Sequence, residues 1–240
     1  MISFKIITAY PEMFPGVLGH SVIGKALQEK KWSLDLINLH DFGHNSRKNI
    51  DDVPFGGGPG MIVRPDVVEK AVNFVKVNSK NNYQLIYMSS RGKPLKQEKL
   101  RKFSKFEEII ILCGRFEGVD VRAIENLGFL EVSIGDYVLA GGEVAAQVLV
   151  EGCIRLLPGV LGHPESILEE SFSKDLLEYP QYTRPQVWED IKKEKHHVPD
   201  ILLSGNHEKI KQWREKKSIE ITKKNRPDLI LNIKTQAKDE

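Results

Sequence analysis

The chain has 240 residues, of which 40% are hydrophobic and 28% charged, with a formal net charge of only +2. That length exceeds a usual single domain and predicts one large domain followed by a small one. No stretch approaches the roughly 20 apolar residues that span a bilayer, and the N-terminus begins with strand-like residues rather than a basic leader, so a cytoplasmic protein without a membrane partner is expected.

Taken in order, Phe4 to Thr8 reads as a first strand, Pro11-Glu-Met-Phe14 as a turn into a helix through Val22 to Leu27, and Trp32 to Leu39 as a second strand. Strand, helix, strand is the opening of an α/β layout with a mainly parallel sheet. The polar segment His40 to Asp52 leads into Phe55-Gly-Gly-Gly-Pro-Gly60. Three consecutive glycines exclude a helix or a stable strand and predict a functional loop. Asp51 and Asp52, lone acids in this segment, read most simply as turn residues.

Pro65 to Val77 places Val67, Val68, Ala71, Val72 and Val75 at helical spacing, which predicts a core-facing helix. Tyr83 to Ser89 reads as a strand that ends at Ser89-Ser-Arg-Gly92, and Lys96 to Phe106 as a basic surface helix. Two short apolar runs follow, Ile109 to Leu112 and Leu130 to Ile134, each stopping abruptly in glycine and charge. Buried strands opening into loops have this pattern, and strand ends are where α/β sheets bind ligands. Gly114, Gly118, Gly135, Gly141 and Gly142 remove side chains there, so backbone groups are expected to do the binding, and a side chain at Gly141 to intrude on the ligand's volume. Neither G-x-G-x-x-G after a strand nor G-x-x-x-x-G-K-[ST] is present, which argues against a dinucleotide fold and a P-loop.

Glu143 to Leu157 runs without a breaker until Gly152 and reads as a helix, after which a polar segment through Lys174 is the linker candidate. Beyond it come the extended Pro180 to Pro185, then Val187 to Lys195, Pro199 to Leu203, and a helix from His207 to about Lys217 with Asn206 as N-cap. Residues 184–240 hold 14 Lys and Arg against 10 Asp and Glu, and within Lys209 to Arg226 the count is eight against two. Lys211, Arg214 and Lys217 are therefore candidates for contacting a phosphate backbone, the alternative being an ordinary solvated face. The two cysteines, Cys113 and Cys153, lack C-x-x-C spacing and read as reduced, buried thiols, with neither a disulfide framework nor a zinc site signalled.

The segments Leu112-Cys-Gly-Arg-Phe-Glu-Gly-Val-Asp120, Ser133-Ile-Gly-Asp-Tyr-Val-Leu-Ala-Gly-Gly-Glu143 and Pro54-Phe-Gly-Gly-Gly-Pro-Gly-Met61 resemble the bacterial tRNA (guanine-N1)-methyltransferases of the SPOUT class. The resemblance extends from Pro11-Glu-Met-Phe14 to Leu203-Ser-Gly-Asn-His207. It implies an α/β fold with a parallel sheet and a deep trefoil knot, plus a small, mainly helical C-terminal domain, in a homodimer with active sites across the interface. The corresponding divisions are a cofactor-binding domain over 1–160, a linker over 161–175 and a basic tRNA-binding domain over 176–240.

The implied reaction is methyl transfer from S-adenosylmethionine to N1 of guanine 37 of tRNA, the base 3′-adjacent to the anticodon. Removing the N1 proton calls for a general base, and the charge appearing on O6 calls for a cationic donor. Carried over position by position, the base falls on Glu170, where the family has aspartate, and the donor on Arg155. Cofactor contacts fall on Tyr87, Met88 and Ser89, on Gly114 and Glu117, and on Ser133, Ile134, Gly135, Asp136, Tyr137, Val138, Leu139, Gly141 and Gly142. Ser90 and Ala145 stand where proline is common in the family, and Phe116 where tyrosine is common. A magnesium requirement is not readable from these residues. The alternatives are a non-catalytic RNA-binding protein of the same fold and a methyltransferase acting on another RNA.

Overall fold

The computed structural model describes residues 1–77, 79, 82–162, 170–172 and 175–230. The chain divides into two compact units, Met1–Gly162 and His163–Glu240.

The first unit is built on a five-stranded sheet in the order β2-β1-β6-β5-β7, formed by β1 (Ile2–Thr8), β2 (Trp32–Asn38), β5 (Tyr83–Pro94), β6 (Glu108–Cys113) and β7 (Leu130–Ser133). Every pairing is parallel. Strand β6 lies at the centre and is buried along its whole length, which is why Ile109 to Leu112 reads as an unbroken apolar run instead of an alternating one.

Period-two geometry assigns the two faces. Phe4 and Ile6 stand beside Ile109 and Ile111, and Ile86 and Met88 beside Ile111 and Cys113, so these side chains share one face. There they meet Ile23 and Ala26 of α1 (Ser21–Gln28), Phe103 of α3 (Gln97–Phe103) and Ala146, Leu149, Val150 and Cys153 of α5 (Glu143–Ile154). The opposite face carries Ile7, Leu85, Tyr87, Ile110 and Leu112 against the valines of α2 (Pro65–Lys76) and Ala123 and Ile124 of α4 (Val121–Leu127). Ile111 is fully buried, and truncating it to Ala would cost about 2–5 kcal/mol. Trp32 is fixed by its indole N–H, which donates to the Ile23 carbonyl at 3.1 Å, and by an edge-on contact with Phe4.

The five valine and alanine positions expected to face the core from α2 are buried, and Pro65 at its first turn suits a site where no amide partner is needed. Other boundaries shift. α3 ends at Phe103, short of Phe106, and α5 at Ile154, short of Leu157.

Strand β5 does not stop at Ser89. It pairs with β7 at Ile86↔Leu130 through Met88↔Val132, breaks register, and rejoins at Lys93↔Val132 and Pro94↔Ser133. The polar run Ser89 to Gly92 is thus an excursion within a strand. Gly92 permits the return, because a Cβ there would stand 2.4 Å from the Val132 amide nitrogen.

Two short strands, β3 (Asp51–Asp52) and β4 (Ile62–Val63), pair antiparallel and close the base of the glycine-rich loop. Gly56, Gly57, Gly58 and Gly60 all have positive φ.

The second unit contains a hairpin of β8 (Val187–Glu189) and β9 (Lys195–His197), then α6 (Asp200–Leu203) and α7 (His207–Asn225). Asp190 Oδ1 accepts the amides of Lys192 and Glu194, each at 2.9 Å, and so shapes the hairpin turn. Asn206 caps α7 by accepting the Lys209 amide at 3.1 Å. That helix runs past Lys217 to Asn225, since no residue before Pro227 breaks it. Trp213 packs against the Tyr182 ring at 6.3 Å between centroids, and Thr222 Oγ1 accepts the Leu177 amide at 2.9 Å. No described helix is long and apolar enough to cross a membrane.

Candidate functional site

The carboxyl ends of β5, β6 and β7 open together into a cleft of about 650 Å³, in the size range of small-molecule sites and at the edge where α/β sheets bind ligands. Of the residues assigned to the cofactor, Tyr87, Met88 and Ser89 line it from β5, and Gly114 and Glu117 from the loop after β6. Ser133 lines it from the end of β7, and Ile134, Gly135, Tyr137, Val138, Leu139, Gly141 and Gly142 from the segment between β7 and α5. Asp136 lies in that same segment without lining the cleft.

The cleft walls are backbone held at short range. The Gly142 amide donates to the Gly114 carbonyl at 2.9 Å. A Cβ on Gly142 would stand 3.0 Å from Cys113 Cα and 3.1 Å from the Gly114 nitrogen, and one on Gly114 would stand 2.8 Å from the Tyr87 hydroxyl. Ser133 Oγ donates to the Gly135 carbonyl at 3.1 Å and takes the Gly135 amide at 3.2 Å, curling the β7 exit back on itself. Tyr87 is buried, and that burial raises its phenol pKa above the ordinary value.

Gly141 is crowded from within the protein. A Cβ there would meet Arg115 Nε at 2.5 Å and Glu143 Oε2 at 2.6 Å, so an ion pair of the protein itself presses on this position. Local sequence does not reveal that pair. Arg115 lies 28 positions from Glu143, and a glutamate opening a helix reads as solvated. Only its position in the first turn of α5 hints at an anchored carboxylate.

The glycine-rich loop is tied to the same site. The Val63 amide donates to the Gly118 carbonyl at 2.9 Å, the Asp120 amide to the Val63 carbonyl at 3.1 Å, and the Glu117 amide to the Met61 carbonyl at 2.9 Å. Phe55, at the loop's start, joins the cleft lining. At the loop's base Arg64 bonds Asp52 at 3.0 Å and Asp66 at 3.1 Å, and Asp66 also pairs with His44 Nε2 at 2.5 Å. Burial works against the Asp66 carboxylate, but hydrogen bonds from Arg64 and His44 outweigh it and hold the group down at about 2. Asp52 is therefore an ion-pair partner, and Asp51 a strand residue opposite Val63.

The three departures also sit on the cleft. Ser90 lies in the β5 excursion, Ala145 in the first turn of α5, and Phe116 adopts φ +58 in the turn after β6. Both cysteines are free and buried. Burial pushes Cys153 up to about 12, and burial with the nearby Glu143 carboxylate pushes Cys113 well up.

Arg155 is the C-cap of α5, its amide donating to the Glu151 carbonyl at 3.0 Å. Glu170 belongs to the second unit and is half-buried, while the adjacent Glu169 lies outside the described residues. On α7, Lys211 is exposed, the Arg214 guanidinium stacks 4.6 Å from the Tyr179 ring centroid, and Lys217 pairs with Glu220 at 2.6 Å.

A family model described as tRNA (Guanine-1)-methyltransferase TrmD matches residues 2–232. The chain belongs to that family. Among relatives of the TrmD family, a Roseobacter denitrificans protein named tRNA (guanine-N(1)-)-methyltransferase is 48% identical over 225 residues, covering 94% of this chain and 91% of its own length. A Wolbachia pipientis wMel protein of the same name is 50% identical over 227 residues, covering 94% of each. The TrmD match takes in β1 through α7, and with them every segment that builds the cleft.

Proposed function

We propose that this chain transfers a methyl group from S-adenosylmethionine to N1 of guanine 37 in tRNA, in the cytoplasm. The observation that carries the reading is the cleft at the ends of β5, β6 and β7, whose lining gathers Tyr87 to Ser89, Gly114, Glu117 and most of residues 133–142, in a chain of the TrmD family. Its volume and mixed polar and apolar walls fit a nucleoside with an amino-acid tail.

Bound S-adenosylmethionine supplies an electrophilic methyl on a sulfonium. The residues of Tyr87 to Ser89, Gly114, Glu117 and the 133–142 segment hold it in place, aligning that methyl with the target base. Glu170 takes the N1 proton as general base, and Arg155 donates to O6 as negative charge gathers there. The organisation proposed with this chemistry is a cofactor domain over 1–160, a linker carrying the base over 161–175, and a tRNA-binding domain over 176–240 presenting Lys211, Arg214 and Lys217.

The proposal includes a trefoil knot and a homodimer with each site completed by the partner. The strand order β2-β1-β6-β5-β7, in which the late strand β6 is inserted between the earlier β1 and β5, supports the first. An apolar surface supports the second: Val144 and Val148, four residues apart on α5, are about half exposed, and Val17, on the short turn Gly16–Gly19 packed beside α5, is 63% exposed.

The test is incubation of the protein with methyl-labelled cofactor and, in parallel, unmodified tRNA or ribosomal RNA, with and without magnesium, followed by mapping of the modified base and a tRNA-binding assay. Label at guanine 37, abolished when that base is replaced, is the expected outcome. Label in ribosomal RNA alone would point to another substrate, and tRNA binding without any transfer to a non-catalytic RNA-binding protein.

A further inference from the structure

The most heavily built polar feature of the first unit is not among the residues assigned to cofactor or base. Arg115 Nε donates to Glu143 Oε1 at 3.1 Å and stands 3.0 Å from Oε2. Its Nη1 reaches the Ala140 carbonyl at 3.4 Å, its Nη2 lies 3.0 Å from Met13 Sδ, and its guanidinium carbon sits 4.4 Å from the Tyr10 ring centroid. Glu143 is 1% exposed, and its Oε1 also takes the Thr8 hydroxyl at 2.8 Å. Thr8 Oγ1 in turn accepts the Tyr10 amide at 3.0 Å.

One buried carboxylate therefore joins three segments: the exit of β1, the exit of β6 and the loop that opens α5. A buried charge is costly unless paired and hydrogen-bonded, and a planar fork with five donors suits that task better than an ammonium. The fold has other support at this point, since Ala145, Ala146, Leu149 and Val150 already bury α5 against the sheet. Two of the joined segments, Gly114-Arg115 and Ala140 to Gly142, both line the cleft and adjoin through the Gly142–Gly114 hydrogen bond.

We propose that Arg115 and Glu143 are a positioning pair that fixes how these two stretches meet at the cleft, and so sets affinity for the cofactor through the loops. This rests on the proposed function. An apolar pair of similar volume can replace a buried ion pair with little loss of stability. It cannot reproduce the direction that the guanidinium imposes on the Ala140 carbonyl.

The experiment uses the full chain as parent, Arg115→Lys, Glu143→Gln and the double variant Arg115→Met/Glu143→Met. Calorimetry with S-adenosylhomocysteine, steady-state kinetics with tRNA and thermal melting are measured on each. Arg115→Lys is expected to raise the cofactor Kd and KM on the order of tenfold, each tenfold step being about 1.4 kcal/mol, with kcat at saturating cofactor and KM for tRNA close to parental. A purely structural pair would move the melting temperature and leave this split untouched. Should the single variants fail to fold, the double variant carries the test with the same expected weakening. Parental cofactor affinity in any folded variant overturns the inference, as does loss of folding in all three. A parent that binds no cofactor overturns the proposed function first, and this inference with it.

Discussion

The Gly142 amide donates to the Gly114 carbonyl at 2.9 Å, closing the loop after β6 onto the first turn of α5. Because a Cβ on Gly142 would press on the backbone of Cys113 and Gly114, Gly142→Ala is expected to lower cofactor affinity at least tenfold and stability by about 1–3 kcal/mol, the usual cost of overpacking. Gly57→Ala is the contrast. Its Cβ meets nothing within 4 Å, so only the positive φ is penalised, by about 1–2 kcal/mol, and cofactor affinity should hold. Calorimetry and thermal melts on both variants decide the matter; equal cofactor affinity in the two would remove Gly142 from the site.

The carboxylate of Asp66 supplies a pH prediction. Its folded value is depressed to about 2, against about 3.9 in an unfolded chain. The pair's contribution is therefore complete above about pH 4 and disappears as pH falls through about 2. Asp66 is more than a third exposed, so the effect is modest. Melting curves of parent and Asp66→Asn should differ at pH 5 and converge near pH 2. A gap that persisted unchanged at pH 2 would mean that the carboxylate's charge is not what stabilises the loop base.

Cys113 and Cys153 are buried and held as thiols by raised pKa values. A thiol reagent at pH 8 should label neither in the folded protein and both after denaturation, because the thiolate is the reactive form. Rapid labelling of one cysteine in the native state would contradict the packing of α5 on the sheet.

On α7, Lys211, Arg214 and Lys217 recur every third residue and share one side of the helix. Changing all three to Glu should weaken tRNA binding and flatten its salt dependence by about 0.9 in log–log slope for every phosphate that the helix no longer neutralises. Arg214 also stacks on Tyr179, and Lys217 pairs with Glu220, so Lys211→Glu alone is the cleaner probe. Unchanged tRNA affinity in the triple variant would reduce this basic run to a solvated face.

What is legible in the sequence is whatever depends on local pattern. The valines of α2 repeat with the helix, the apolar run of β6 matches a strand buried on both faces, and Asn206 marks the start of α7 through its capping side chain. What stays hidden depends on distant partners. Ser89 to Gly92 reads as a strand end because nothing local reveals that β5 rejoins β7 at Lys93. The reason for glycine at position 141 lies in Arg115 and Glu143, which only the fold brings together. The end of α7 falls eight residues beyond the expected Lys217, because a helix that is polar on nearly every side offers no apolar stripe whose disappearance would signal a terminus.

The role assigned to Glu170 is tested most directly by single-turnover methyl transfer to unmodified tRNA at saturating cofactor, comparing parent, Glu170→Gln and Glu170→Asp. Gln keeps size and hydrogen bonding but accepts no proton, so its rate should fall by roughly two to four orders of magnitude, with cofactor affinity unchanged. The Asp variant should retain most of what Gln loses, since it keeps the carboxylate. A Glu170→Gln rate near that of the parent would show that another group removes the N1 proton, and would contradict the proposed mechanism at its central residue.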